Sequence, residues 1–473
     1  MISRNLYCLA RKGVPLFASL LVCEAGFAQQ IQQLPVGAGA LGTGPNAIVL
    51  PGYEDAPRPP AFTAETRAEV LRQSMLVDDY TPQPAFAGQT RAPKPRVTED
   101  YRIEVFAEGF GNVWSLAVLP DGRLLVSEMN AGLRIVESDG TVGEPISEGL
   151  PLDFSKRAEE LLDSVPDRDF ATNRIIYFLY RVPPPEAGDV GRREEDFPVH
   201  YPQIQMVGRA RLSDDERSLV DFEELLNAQG IEGRLIQGPD GMLYIDSGPL
   251  AGRGMFVRNW VQPQLPGSLM GKVLRINPDG SIPPDNPFVG MPDTRPEIWA
   301  LGVRDAQSMA FDPQGRLWTA ENGAMGGDEL NLMEAGKNYG FPTIGYGREY
   351  NGEMINDGLT AQQGLEQPVY FWTPSVAPSG MTFYSGELFP EWRGDLFIAT
   401  MAPRIGRKLI RLVIEEDSNG AMRVAGEEWL MIDQLGEVRL RDVKQGLDGA
   451  LYVLEHNWGS ATGNRLFRLV PPG

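Results

Sequence analysis

Histidine is almost missing from this chain: of 473 residues, only His200 and His456 carry an imidazole. Chemistry that needs a proton carrier near neutral pH must use one of these two, or a carboxylate whose proton affinity has been raised. Cysteine is as scarce, and Cys8 and Cys23 both fall in the first 28 residues. Beyond them no disulfide, thiolate metal site or cysteine nucleophile can operate. Positive charge is in deficit, with 43 Lys and Arg against 64 Asp and Glu and a net charge of −21. That balance argues against nucleic acid or an anionic membrane surface as a partner, because both demand a dense basic field. An anionic ligand would have to find a local cluster of arginines. Long apolar runs are absent as well, and no segment reaches the ~20 residues of a membrane-spanning helix.

The apolar run Val14 to Cys23 follows Arg4, Arg11 and Lys12 and precedes Gly26-Phe27-Ala28, a small-x-small cleavage pattern. Residues 1–28 are therefore expected to be a signal peptide, with the mature protein periplasmic or secreted. Cleavage would move the net charge from −21 to −23 and leave no cysteine. The alternative, a lipidated N-terminus at Cys23, is disfavoured by Val22 before it.

What the chain has in quantity is glycine, proline and short apolar strands. Residues 29–98 are rich in Pro, Ala and Gln, with one helical pattern at Glu65 to Leu76, and read as an extended arm. From residue 99 to 473 one unit recurs, a Gly- or Asn-containing turn followed by a short apolar strand. It occurs six times: Leu119 to Glu128, Asp167 to Arg181, Gln237 to Gly248, Asp312 to Gly323, Pro390 to Met401 and Gln445 to Asn457. A spacing of roughly 50 to 80 residues is the period of four-stranded sheets repeated radially. The expected fold is all-β, a six-bladed β-propeller preceded by an extended arm. The Asp-Gly pairs in these turns are structural, since they supply the positive φ of hairpins. The segment Pro183 to Glu195 and the loop Leu250 to Gly267 interrupt the repeat, and fit either a ligand-binding rim or surface decoration.

The segments GKVLRINPDGSIPPDNPFVG, PEIWALGVRDAQSMAFDP, GGDELNLMEAGKNYGFP, VAPSGMTFY, FPEWRGDLFI and RLRDVKQGLDGALYVL, taken in order, resemble the soluble pyrroloquinoline-quinone-dependent glucose/sorbosone (aldose sugar) dehydrogenases. The resemblance runs from about Tyr101 to Leu469. It implies a propeller whose top face holds the quinone (PQQ), a Ca²⁺ ion that polarises its carbonyl, and a histidine base. The substrate would be a small-molecule sugar, oxidised by hydride transfer to the quinone, with the electron acceptor left open.

Carried onto this sequence, the resemblance gives cofactor-binding positions at Arg304, Asp305, Arg439 and Arg441. Asp305 stands where the family has asparagine, and an acid beside an anionic cofactor needs a partner. Arg439 and Arg441, two apart on a strand, should share one face. Local ion pairs are the alternative use of these residues, with Glu437 on the same face as the second pair. A further basic residue is expected from Arg404, Arg407 or Lys408. The metal positions are the backbone carbonyls of Asn322, Gly323 and Ala324, since calcium accepts carbonyl oxygen. The alternative there is an ordinary acidic turn.

The family's histidine position is Gly230, so the base is absent; the local substitutes are Glu232 and Asp246. A cofactor-contacting glutamine falls at about Ala158, and a strand-ending aspartate at Pro249. His200 and His456 read as surface or capping residues, with His456 the better placed to reach the channel rim. Two functions follow: a PQQ-dependent sugar dehydrogenase with a replaced base, or a propeller that binds a sugar or anionic ligand without turnover. A hydrolase acting through Glu232, Asp246, Asp305 and Glu321 is a more distant third.

Overall fold

The computed structural model describes residues 82–473 apart from 157–158, 184–202, 231, 249–261, 349–353, 403–407, 432–434, 436–437 and 458–462, together with a small antiparallel pair, Ala40–Leu41 with Ile48–Val49. The expected signal peptide, the Glu65 to Leu76 helix, Ala158, His200, Pro249, Arg404, Arg407 and Glu437 lie outside the described residues.

Every one of the six turn-and-strand units is the first turn and second strand of one blade. Blade 1 has strands Val113–Val118, Leu124–Glu128 and Gly132–Val136. Blade 2 has Glu160–Pro166, Ile175–Val182, Ile204–Leu212 and Leu219–Asn227. In blade 3 the order is Leu235–Gln237, Leu243–Ser247, Lys272–Ile276 and Ile298–Leu301. Blade 4 runs Ser308–Phe311, Leu317–Glu321, Asp328–Met333 and Tyr370–Trp372. Blade 5 runs Pro378–Phe383, Leu396–Thr400, Leu409–Glu416 and Met422–Leu430. Blade 6 has Leu440–Gln445, Leu451–Glu455 and Asn464–Val470, and takes its outer strand, Arg102–Phe110, from the other end of the chain. The first strand of each blade packs beside the next, and the ring closes from blade 6 onto blade 1.

The turns show why the repeat signal is so regular. The Asp240 carboxylate accepts from Met242 N at 3.1 Å, the Tyr244 hydroxyl at 2.9 Å and Arg275 Nη2 at 2.9 Å. Asp448 does the same with Ala450 N, Tyr452 and Arg468. A single aspartate thus ties a hairpin turn to the second and third strands, while the following glycine takes φ 85° or 82°.

Stability comes from apolar clusters between neighbouring blades. One joins blades 1 and 2 through Leu125, Ile135, Phe178 and Leu212; another joins blades 4 and 5 through Trp318, Met381 and Ile398. Fully burying such a side chain is worth ~1.5–3 kcal/mol, and this core does the work that disulfides cannot.

The arm packs on the propeller from residue 82 onward, crossing the outer edges of blades 4 and 5. Phe371 N donates to Gln89 O at 2.9 Å, Thr90 Oγ1 to Phe371 O at 2.9 Å, and Glu427 N to Pro93 O at 3.0 Å.

Candidate active site

One side chain gathers the inner strands of the propeller. Arg234, just before the inner strand of blade 3, donates Nε to Gln307 O at 2.8 Å, Nη1 to Asp442 Oδ2 at 3.1 Å, and Nη2 to Arg441 O at 3.1 Å and to Ser379 O. Asp163 of blade 2 lies 3.8 Å away, and Leu116 N of blade 1 donates to the same Asp442 oxygen. All six blades therefore meet at the Arg234–Asp442 pair. Burial pushes Asp442 up, but Arg234 and Lys444 hold it below the ordinary carboxylate range.

Arg441 sits beside this hub, at an irregularity in the register of the inner strand of blade 6. Its guanidinium is buried and stacks 3.6 Å from the centroid of the Trp114 ring. Nη1 donates to Gln307 Oε1 at 2.7 Å, whereas Nε and Nη2 have no hydrogen-bond partner. Burial first, and then the charge of Arg234, work against its positive form; a guanidinium nevertheless stays protonated, so the site calls for an anion. Arg439 and Arg441 both reach the sulfur of Met401, at 3.2 and 3.6 Å, so the two guanidiniums converge.

Opposite them is a group of acids held by one amide. Gln307 Nε2 donates to Glu232 Oε2 at 2.7 Å and Asp305 Oδ2 at 3.1 Å. Burial raises Asp305 to about 7, helped by the Glu232 charge and opposed by Arg304; its Oδ1 has no partner. Asp246, wholly buried, accepts from Ala306 N at 3.2 Å and is pushed well up by burial and then by Asp305 and Glu321. Glu232 is engaged from its other side by Arg181 at 3.5 Å.

Arg304 is turned toward the loop at 322–328. Its Nη1 donates to Asn322 O, its backbone N to Glu321 Oε2 at 2.7 Å, and its Nε is unpartnered. The loop owes its path to glycine: a Cβ at Gly327, which has φ 75°, would lie 2.4 Å from Gly347 N. Asp328 anchors it, accepting from Gly323 N at 2.7 Å, Val376 N at 2.6 Å, Ala377 N at 2.7 Å and Ser375 Oγ at 2.8 Å. Burial raises Asp328 to about 6, Glu321 to about 7 and Glu329 well above its usual value. No group of three or more His, Cys, Asp or Glu among the described residues is arranged to hold a metal. A cation here would rest on main-chain oxygens such as those of Gly323 and Ala324, with the buried carboxyls supplying the field. That donor chemistry fits a hard ion, except that Asn322 O is already taken by Arg304.

Gly230 has no room for a side chain. A Cβ there would lie 2.5 Å from Gln205 Oε1, 2.6 Å from Ser247 Oγ and 2.8 Å from Gly248 O. His456 is buried, with Nε2 2.5 Å from Asn112 Oδ1 and its backbone N bonded to Arg439 O. It braces Arg439, the residue just before the inner strand of blade 6. Lys408 Nζ lies over the Trp429 ring at the outer edge of blade 5.

Sequence reasoning passed over Gln307, Trp114 and Met401. Gln307 joins Arg441, 134 residues away, to both Asp305 and Glu232, and a neutral amide gives no signal of that in sequence. Trp114, an aromatic opening the first inner strand, was the one visible hint.

Comparison with known proteins shows which family the fold and sequence match. The Glucose/Sorbosone dehydrogenase family profile matches residues 110–465. The aldose sugar dehydrogenase YliI of Escherichia coli is 35% identical over 364 residues, covering 74% of this chain and 89% of that one. Quinoprotein glucose dehydrogenase B of Acinetobacter calcoaceticus is 29% identical over 323 residues, or 64% of each chain. The crystal structure of the soluble aldose sugar dehydrogenase of Escherichia coli in its apo-form superposes with a TM-score of 0.65 at 31% identity, covering 79% of this chain and 100% of that one.

Proposed function

Because the chain belongs to the glucose/sorbosone dehydrogenase family, we propose that it is an exported sugar dehydrogenase that uses pyrroloquinoline quinone and calcium. The observation that carries this reading is Arg441, a buried cation with Nε and Nη2 unpartnered, in a protein of net charge −21. Such a group is a poor choice for stability and a good one for an anionic ligand.

Arg441 and Arg439 would hold the quinone carboxylates, with Arg304 Nε available from blade 4, and the carbonyls of Gly323 and Ala324 would hold the calcium. When bound, the quinone supplies the hydride acceptor, which no side chain can provide. The chain's own residues do the rest. Trp114 excludes water from one face of Arg441, and Gln307 fixes both Arg441 and the facing carboxylates. Asp305 Oδ1 is the oxygen left to take the proton of the sugar hydroxyl as its hydride departs. A carboxyl raised to about 7 is suited to accept a proton near neutrality.

A second reading is favoured by Gly230. With the histidine position filled by Gln205 and Ser247, the propeller would bind a sugar or anion without turning it over. Titration of the purified protein with pyrroloquinoline quinone and Ca²⁺, followed by dye reduction with a panel of aldoses, separates the two. Binding with turnover supports the dehydrogenase, and binding without turnover the silent propeller. Failure to bind micromolar quinone overturns the cofactor assignment. Asp305→Asn should remove turnover and leave quinone binding intact.

A further inference from the structure

The arm does more than cover the outer edges of blades 4 and 5. Between residues Thr90 to Lys94 and the outer strands of the two blades lies a cleft of about 590 Å³, a size typical of small-molecule sites. Its arm wall, Thr90 to Lys94, precedes residue 110, where the family match begins.

The cleft holds an uncommon set of side chains. Trp429, on the outer strand of blade 5, is 48% exposed, although large aromatics on such edges are usually covered. Its ring is fixed, because Nε1 donates to Glu427 Oε1 at 2.6 Å and Lys408 Nζ caps it 3.0 Å from the centroid. Glu427 is fixed in turn by neutral donors, with the Tyr370 hydroxyl on Oε2 at 2.6 Å and Trp372 Nε1 on Oε1 at 3.4 Å. Lys94, largely exposed, stands at the mouth beside Glu428, 3.4 Å away.

We propose that this cleft binds a neutral saccharide at a second site, separate from the channel. A pre-set indole plane suits the C–H face of a pyranose ring. The Glu427 carboxylate retains lone pairs for sugar hydroxyls, and the Lys94 ammonium supplies donors. An anionic ligand would meet Glu427 and Glu428, while a cationic one would meet Arg91 and Lys94. An uncharged, polyhydroxylated ligand can use these donors and acceptors together without setting a like charge against either. The site does not depend on the quinone assignment, since none of its residues touches Arg441, Asp305 or Gln307 in the network above.

The test is a titration of the quinone-free protein with maltotriose, cellotriose, xylotriose and laminaritriose, read by tryptophan fluorescence and calorimetry. At least one probe is expected to bind saturably with Kd of about 1 mM or tighter. Trp429→Ala, at an exposed position that should not perturb folding, is expected to weaken binding about tenfold or more. Glu427→Gln should also weaken it, while Arg441→Ala leaves it unchanged. Absence of saturable binding to all four probes overturns the proposal, as does binding that survives Trp429→Ala. Loss of saccharide binding in Arg441→Ala would place the sugar in the channel instead and would also overturn it. Quinone titration of Trp429→Ala keeps the two sites apart, because it should match the parent protein whichever way the saccharide result falls.

Discussion

Replacing Asp305 with asparagine should stabilise the metal-free protein, and should do so only above acidic pH. In the fold this carboxyl is enclosed by Glu232 and Asp246, with Arg304, Arg441 and the Gln307 amide on its other sides. Burial and the Glu232 charge raise it from 3.8 to about 7. Well below pH 3.8 the group is protonated in both folded and unfolded chains and contributes nothing. Between pH 4 and 7 the unfolded chain releases the proton while the folded one keeps it, so stability falls as pH rises. Above 7 the cost is constant, and three units at ~1.4 kcal/mol each set a ceiling of ~4 kcal/mol. Asparagine can still accept from Gln307 Nε2 but carries no charge to bury. The variant should therefore come close to the parent at pH 4 and exceed it by ~2–4 kcal/mol at pH 8, measured by urea denaturation in chelator. A difference that does not change with pH would refute the argument, and so would a variant less stable than the parent at pH 8.

Four other outcomes follow from the same geometry. Arg234→Ala strands Asp442 at the meeting point of the blades and should cost ~3–5 kcal/mol in chemical denaturation. Gly230→His must displace the Gly248 carbonyl or its neighbours; it should lose ~1–3 kcal/mol and fail to raise dye reduction, whereas a gain in turnover without loss of stability would show that the space exists. Arg441→Ala should abolish quinone binding in a fluorescence titration while leaving the unfolding midpoint within a few degrees or raising it. Calcium should raise the melting temperature more at pH 8 than at pH 5, because Glu321 and Asp328, raised to about 7 and 6, are charged only at the higher pH; an equal shift at both would place the ion elsewhere.

The blade count was legible because the turns carry local chemistry, most plainly in blades 3 and 6: Asp240 or Asp448, then glycine, then an aromatic four residues after the aspartate. Local rules repeat in sequence, so they can be read there. The closure of blade 6 was not legible, since Arg102–Phe110 pairs with Asn464–Val470 across the whole chain and either strand alone looks ordinary. In the site, the family resemblance pointed to Arg439 and Arg441 and their spacing of two to a shared face; the fold brings both to one sulfur. The role of Gln307 depends on contacts across several blades and could not be inferred from neighbours. The crowding at Gly230 comes from Gln205 and Ser247, whose sequence surroundings say nothing about distance to residue 230.

The pairing of Arg102–Phe110 with the last strand has a temporal side. Among the described strands this is the first of the propeller to leave the ribosome, and the one it pairs with is the propeller's last. Until residues 464–470 emerge, its edge has no match in the sheet and blade 6 cannot form. Five blades can pack as they are made, but the ring stays open through synthesis. A chain cut short by a few tens of residues would then carry two unmatched sheet edges, which makes truncated copies a ready source of strand-to-strand aggregation.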